Sequence, residues 1–248
     1  MLRGLWKLTW VEIKIFVREP LGVIGTVGIP VAMFLLFGRA FGSRAAEGGQ
    51  AARFAGESLP IFIFMMIAIG AALSLATVIA IYREGGILKR LRATPLRPVT
   101  ILGAHVLVKL LFNGLALVLM VAAGRRYYPV TLDVHFVSVS LALLVGTLAI
   151  LPIGFVIASL VPTARFAQPV GSAVLYPMLA LSGLFTPLES LPRHWAALGG
   201  ALPLTHAVSL MRGAWAGASW LDHLPDLGAL LLTMAICVLV SSRVFRWE

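Results

Sequence analysis

The chain has 248 residues, of which 60% are hydrophobic and only 12% are charged, and its formal net charge is +10. Soluble domains carry about 25% charged residues, so this composition excludes an ordinary soluble fold, and its high apolar content excludes a disordered chain. The long stretches without Asp, Glu, Lys or Arg instead indicate a protein embedded in a membrane.

An amphipathic leader, residues 1–19, precedes the first apolar run. Within it, Trp6, Trp10 and Ile13 recur near helical spacing, among several basic residues. This pattern predicts a helix that lies in the membrane interface. A signal peptide is the less favoured alternative, because the leader is long and the apolar run after it is long enough to be a true span.

Six apolar runs follow the leader, each near the roughly 20 residues that a helix needs to cross the hydrocarbon layer. The sequence therefore predicts an all-α integral membrane protein with six transmembrane helices, forming a single transmembrane domain over residues 1–248. The predicted spans are residues 20–41, 58–82, 101–123, 134–161, 166–186 and 226–243. Lys109 interrupts the third, and the last is short.

The basic residues are unequally distributed between the two sides of this topology. With six spans both termini share one side, and that side holds twelve Lys or Arg residues against seven on the other. Because basic loops are retained in the cytoplasm, both termini are predicted to be cytoplasmic, in the cell (inner) membrane. This orientation accounts for the positive charge, and no recognition module accompanies it, so membrane lipids and not nucleic acid are the expected partners.

Small residues recur along the second span. Ala68, Ala72, Ala76 and Ala80 follow one another at intervals of four residues, which places them on one helix face. Small residues allow helix backbones to approach closely within a membrane. The pattern therefore predicts that this face packs tightly against another helix.

Polar residues mark one face of the third span. His105, Lys109 and Asn113 are also separated by four residues and therefore share a face. Two interpretations of this face remain open. Lys109 can extend its ammonium group to the cytoplasmic surface, or the face can line a translocation path that attracts anionic headgroups.

The loop between the second and third spans predicts a short amphipathic helix over residues 84–96, ended by Pro95. Its apolar and basic positions separate onto opposite faces, with Ile87, Leu88 and Leu91 on one and Lys89, Arg90 and Arg92 on the other. Such a helix is suited to contact a partner at the cytoplasmic surface. A basic loop resting on anionic lipid is the alternative.

This loop resembles a pattern of ABC type-2 exporter permeases, R-E-x-G-T-L-x-R-L-x-x-T-P-L. The matching residues are Arg83, Glu84, Gly86, Leu88, Arg90, Leu91, Thr94, Pro95 and Leu96, with Ile87 in place of the usual threonine. A second resemblance begins near the end of the fifth span. Its residues are Ser182, Gly183, Pro187, Leu188, Leu191, Pro192, Trp195, Pro203, Leu204, Thr205 and Arg212. In that stretch Leu202 and His206 replace the family's asparagine and tyrosine.

The resemblance implies a permease subunit that exports an amphiphilic, drug-like or lipid- or glycan-linked substrate. It implies a homodimer or heterodimer of permeases, docked on two copies of a cytoplasmic ATP-binding subunit through the segment 84–96, called the coupling helix. The residues assigned to this coupling are Arg83, Glu84, Gly86, Leu88, Arg90, Leu91, Thr94 and Pro95. Residues 187–205 are implied to form short re-entrant helices, and the outer gate is assigned to Pro187, Pro192, Trp195, Pro203, Thr205 and Arg212.

The chain lacks the sequence of an ATPase. A phosphate-binding loop needs a lysine after a glycine, and no lysine here follows one, so ATP and Mg²⁺ are expected on the partner and no cofactor, metal or catalytic residue in this chain. An ion-coupled secondary transporter is the first alternative, although it usually requires carboxylates within the spans and the apolar runs contain none. An intramembrane enzyme is less favoured, because the sequence has no zinc-protease motif and no nucleophile elbow.

Overall fold

The computed structural model describes residues 2–45, 59–86, 98–127 and 135–244, which form helices joined by turns. The helices are α1 (Leu2–Arg18), α2 (Pro20–Val23), α3 (Ile29–Ala45), α4 (Leu59–Glu84), α5 (Pro98–Tyr127), α6 (Phe136–Leu160), α7 (Ala164–Ala180), α8 (Arg193–Ala201), α9 (Pro203–Ala216) and α10 (Leu224–Val244). A π-helical turn, Ile24–Gly28, joins α2 to α3. The predicted all-helical class is confirmed for the described residues.

Within these described ranges, five helical stretches are long and apolar enough to cross a membrane. They are Pro20–Phe37, Ile61–Glu84, Gly103–Ala123, Phe136–Leu160 and Trp220–Ser241. A helix suits this environment because it satisfies its backbone hydrogen bonds internally, where the hydrocarbon layer offers no partner. The protein is therefore a membrane protein with several spanning helices.

The predicted span 166–186 differs from the structure. Its helix, α7, ends at Ala180 after 17 residues, and at 1.5 Å per residue it is about 25 Å long, less than the roughly 30 Å of a hydrocarbon core. The chain then turns at Gly183, whose φ of +76° is a left-handed conformation that favours glycine. The count of six spans is thus not confirmed, because a turn ends this helix within the apolar run.

The helix α6 lies at the centre of the bundle, where it contacts α4, α9 and α10. Ala68, Ala72, Ala76 and Ala80 of α4 are completely buried, so the prediction of a tightly packed alanine face is confirmed. Gly154 of α6 approaches this face so closely that an added Cβ atom would lie 2.4 Å from the Ala72 carbonyl oxygen. Two small residues therefore set the distance between the two helices.

Candidate functional site

Arg83, at the end of α4, binds the C-terminal end of α6. Its guanidinium donates to the carbonyl oxygens of Ala158 at 2.8 Å, Ser159 at 3.5 Å and Pro162 at 3.3 Å, and also to that of Val161. The last carbonyls of a helix lack intrahelical partners and carry partial negative charge. A guanidinium offers several donors in one plane, so a single side chain can satisfy this whole turn.

Glu84 binds the start of the next helix. Its Oε2 atom accepts a hydrogen bond of 2.9 Å from the backbone N–H of Ala164, the first residue of α7. The preceding residue, Thr163, makes no side-chain capping bond, so Glu84 supplies the acceptor that a capping residue normally provides. The carboxylate also faces the positive end of the helix dipole. Arg83 and Glu84 together hold both ends of the α6–α7 turn, and we call this pair the α4 clamp.

The α4 clamp lies where the predicted coupling helix begins. Gly86 ends α4 with a φ of +64°, and its N–H donates to the Arg83 carbonyl oxygen at 3.1 Å. The structure therefore brings Arg83, Glu84 and Gly86 together at one end of the bundle. The remaining predicted coupling residues, Leu88, Arg90, Leu91, Thr94 and Pro95, lie outside the described residues.

The polar face of the third span is buried inside the bundle. His105 and Lys109 are each 6% exposed and Asn113 is 1% exposed. The Lys109 ammonium donates to Ser74 Oγ at 2.7 Å, and the Asn113 amide nitrogen donates weakly to Thr147 Oγ1 at 3.4 Å. The three residues share one face as predicted, and the hydrogen bonds of Lys109 and Asn113 join it to α4 and to α6.

The leader helix α1 covers the part of this face that contains His105 and Lys109. Glu12 of α1 lies 3.6 Å from His105 Nδ1 through Oε2, and its Oε1 accepts a hydrogen bond of 3.3 Å from the Tyr82 hydroxyl. The Phe16 ring lies 4.9 Å from the Lys109 ammonium, a distance at which the ring face attracts a cation. The leader therefore has a polar side bound to α4 and α5, while Trp6 remains 70% exposed.

We expect Lys109→Met to lower transport about tenfold if this face lines the path, because the variant removes the charge that would bind an anionic headgroup, a contact of about 1.5 kcal/mol. Membrane insertion should persist, because methionine has similar length and removes a charge that is costly to bury. Transport assays and the yield of folded protein measure the two effects. Ser74→Ala is the matched control, because it removes the hydrogen bond and keeps the charge. Unchanged yield and transport in Lys109→Met would contradict a role in the path.

A cleft of about 550 Å³ lies at the opposite end of the bundle from the α4 clamp. Pro187, Thr205 and Arg212, three of the six predicted gate residues, line it together. Thr205 Oγ1 donates to the Gly199 carbonyl oxygen at 2.5 Å, and Arg212 donates to that of Gly183 at 3.3 Å. These bonds attach α9 to the last turn of α8 and to the turn that follows α7.

The other three predicted gate residues lie beside this cleft. Pro192 is the residue before α8, Trp195 is a 45% exposed residue on α8, and Pro203 is the first residue of α9. Prolines suit helix starts because the missing N–H would have no intrahelical partner there. Within the stretch 187–205, implied to form short re-entrant helices, the structure has the helical turn Leu188–Ser190, the helix α8 and the start of α9, which continues to Ala216. That this stretch re-enters the membrane stays a prediction.

The sequence analysis did not predict a cluster of polar side chains around one carboxylate, Asp226, in the same cleft. Asp226 of α10 binds His206 Nδ1 at 2.8 Å, His223 Nδ1 at 2.9 Å and Ser209 Oγ at 2.7 Å. Spacings of three residues, 206 to 209 and 223 to 226, place each pair on one helix face. The sequence shows these spacings, but only the tertiary structure shows that the two pairs contact each other.

This cluster corrects one sequence argument. The uncharged runs contain no carboxylate, but the predicted sixth span, 226–243, begins at Asp226, and the spanning stretch Trp220–Ser241 includes that residue. The reason is that the helical stretch begins before the apolar run, with the turn Trp220–His223. Each Asp226 oxygen accepts at least one hydrogen bond, so the carboxylate is compensated where it lies.

Comparison with known proteins gives one family and several relatives. The profile described as "ABC-2 type transporter" matches residues 3–215. The protein named nodulation protein J of Neorhizobium galegae is 34% identical over 99 residues, which are 40% of this chain and 38% of that protein. The protein of the same name in Rhizobium leguminosarum bv. viciae is 29% identical over 99 residues, again 40% of this chain and 38% of that protein. The matched region thus spans less than half of these curated relatives.

Proposed function

This chain belongs to the ABC-2 type transporter family, and from that premise we propose that it is the permease subunit of an ATP-driven exporter. As a member it is a membrane component of a transporter and is not itself the catalytic subunit. In our proposal it moves an amphiphilic, drug-like or lipid- or glycan-linked substrate out of the cytoplasm. A separate subunit hydrolyses ATP with Mg²⁺.

The α4 clamp is the observation that carries this proposal. It connects the start of the segment 84–96, which would dock on the ATPase, to the turn between α6 and α7. A movement of that segment on ATP binding would pull on Arg83 and Glu84, and through them on two helices. Charge-assisted hydrogen bonds are the stronger ones, so they can transmit such a movement without breaking.

We propose an assembly of two permease copies and two ATP-binding subunits, with both permease termini cytoplasmic in the cell membrane. The contact between Arg83 and Pro162 supports this orientation. It requires that the loop after α4 and the turn after α6 lie at the same membrane surface. Both segments were assigned to the basic side, and basic segments are retained in the cytoplasm.

Transport by purified components tests the proposal. The chain is reconstituted in proteoliposomes with its ATP-binding subunit, and uptake of a fluorescent amphiphile is followed with ATP or a non-hydrolysable analogue. We expect uptake only with ATP and both subunits. Asp226 is the observation that favours the rival, ion-coupled transport, so a proton or sodium gradient is applied in a second arm. Uptake driven by the gradient without ATPase would overturn the proposal.

Docking is tested by Arg90→Glu. In the proposed coupling helix Arg90 would face the ATPase, and reversing an interface charge places like charges together or leaves a partner unpaired. We expect the amount of co-purified ATP-binding subunit to fall on the order of tenfold, while membrane insertion persists. Arg97→Glu, one residue beyond the matched motif, is the control and should retain the partner. Normal co-purification of Arg90→Glu would count against docking through this segment.

A further inference from the structure

A second cleft, of about 510 Å³, lies between α5 and α6. It is separate from the α4 clamp and from the first cleft, and it includes Asn113 from the polar face of the third span. Its walls are mostly leucine, with Gly114 and Phe136. Leu111, Leu115 and Leu141 are 52%, 43% and 45% exposed, and because they belong to spanning helices this exposed surface faces lipid. The cleft therefore opens to the hydrocarbon layer.

Three polar residues line this apolar cleft: Asn113, Ser140 and Thr147. Among the described residues, only three buried side-chain nitrogen or oxygen atoms lack a hydrogen-bond partner, and two of them, Asn113 Oδ1 and Ser140 Oγ, belong to this cleft. Asn113 is 1% exposed. Burying a polar group without a hydrogen-bond partner is destabilising, so two such groups beside one cleft require an explanation.

Exchanging the oxygen and nitrogen positions of the Asn113 amide does not supply the missing hydrogen-bond partner. Its nitrogen contacts Thr147 Oγ1 at 3.4 Å. If the carbonyl oxygen took that place, the NH₂ group with its two donors would take the unpartnered position instead. In either orientation the amide presents an unsatisfied polar atom beside an apolar cavity.

We propose that the cleft binds a neutral single-chain amphiphile, whose hydroxyl or amide group hydrogen-bonds with Asn113 while its hydrocarbon chain lies along the leucine walls. No Asp, Glu, Lys or Arg lines the cleft among the described residues, which favours an uncharged ligand. A phospholipid fits poorly, because Asn113 lies about 15 Å from either end of its span and a headgroup stays at the interface. The proposal does not depend on which substrate is exported.

Photolabelling of the full chain in lipid nanodiscs tests this inference. The probe is a primary alcohol of about ten carbons that carries a diazirine, and labelled peptides are located by mass spectrometry. We expect labels on the residues of α5 and α6 that face the cleft. Unlabelled 1-decanol should compete about 2- to 12-fold better than decane, since one hydrogen bond is worth about 0.5–1.5 kcal/mol. Equal competition by decane, or labelling elsewhere, would overturn the proposal.

Two variants separate the polar contact from the cavity. Asn113→Leu should remove the preference for decanol over decane. Gly114→Leu should block labelling, because a side chain at this position enters open space, with no atom within 4 Å of an added Cβ. Gly228→Leu is the matched control, since its Cβ also meets no atom within 4 Å but lies on α10. A preference for decanol that survives in Asn113→Leu would equally refute the proposal.

Discussion

Replacement of Arg83 by methionine is expected to abolish the coupling of ATP hydrolysis to transport. The variant loses the hydrogen bonds from the guanidinium to the last carbonyls of α6 and to the turn after it. Free energies of coupling between sites are typically 1–3 kcal/mol, so the loss should lower transport by about 5- to 150-fold. ATP hydrolysis by the partner should continue, because the segment 84–96, through which we propose the chain docks, is unchanged.

The ratio of substrate moved to ATP hydrolysed in proteoliposomes measures this prediction. Arg83→Lys keeps the charge but cannot reach several carbonyls at once, so it should restore part of the coupling. Arg165→Met is the control, because Arg165 is an exposed basic residue in the first turn of α7. If Arg83→Met retained the normal ratio, the α4 clamp would not transmit the movement. If Arg165→Met lost it equally, the effect would reflect only lost charge.

Replacement of Gly154 by valine is expected to have the largest effect on stability. The first added carbon would lie 2.4 Å from the carbonyl oxygen and 3.1 Å from the carbonyl carbon of Ala72. These are backbone atoms of a completely buried helix face, so no side chain can rotate away and α4 and α6 must separate. Overpacking of this kind costs about 1–3 kcal/mol, and we expect the upper end.

The fraction of detergent-purified protein that stays monodisperse after heating measures this effect. Gly146→Ala is the matched control on the same helix, because its added Cβ would lie 3.7 Å from the Ala207 Cβ, an ordinary contact. Alanine also has the higher helix propensity, so the control should be as stable as the parent chain or more so. Equal heat resistance of Gly154→Val and the parent would show that the two helices are not held at this distance.

The proposed coupling helix, residues 84–96, illustrates how much of the site the sequence predicted. Its motif identified Arg83 and Glu84 as residues of interest, because their order and spacing resemble a family pattern. The partners of these residues lie about 75 to 80 positions further along the chain, and no local spacing connects them. The same holds for Asp226, whose partners His206 and Ser209 belong to another helix.

The fifth predicted span, residues 166–186, shows where hydropathy and the observed end of a helix differ. Uncharged residues continue beyond Ala180, so hydropathy alone extended the helix, whereas a turn at Gly183 ends it. Hydropathy measures the free energy of placing side chains in lipid and contains no information on where the backbone turns. Of the six predicted gate residues, only Pro187, Thr205 and Arg212 line the cleft. The sequence pattern could not separate these three from the others.

Composition and periodicity alone determined that this chain is a helical membrane protein, because the hydrocarbon layer admits long apolar helices whatever their neighbours are. Local order likewise determined the face shared by His105, Lys109 and Asn113. Only the tertiary structure decided which helix each face meets: that Lys109 binds Ser74, that Gly154 meets Ala72, and that α4 holds the α6–α7 turn. Such contacts join residues far apart in sequence, and their energies depend on packing distances of tenths of an ångström that residue spacing does not encode.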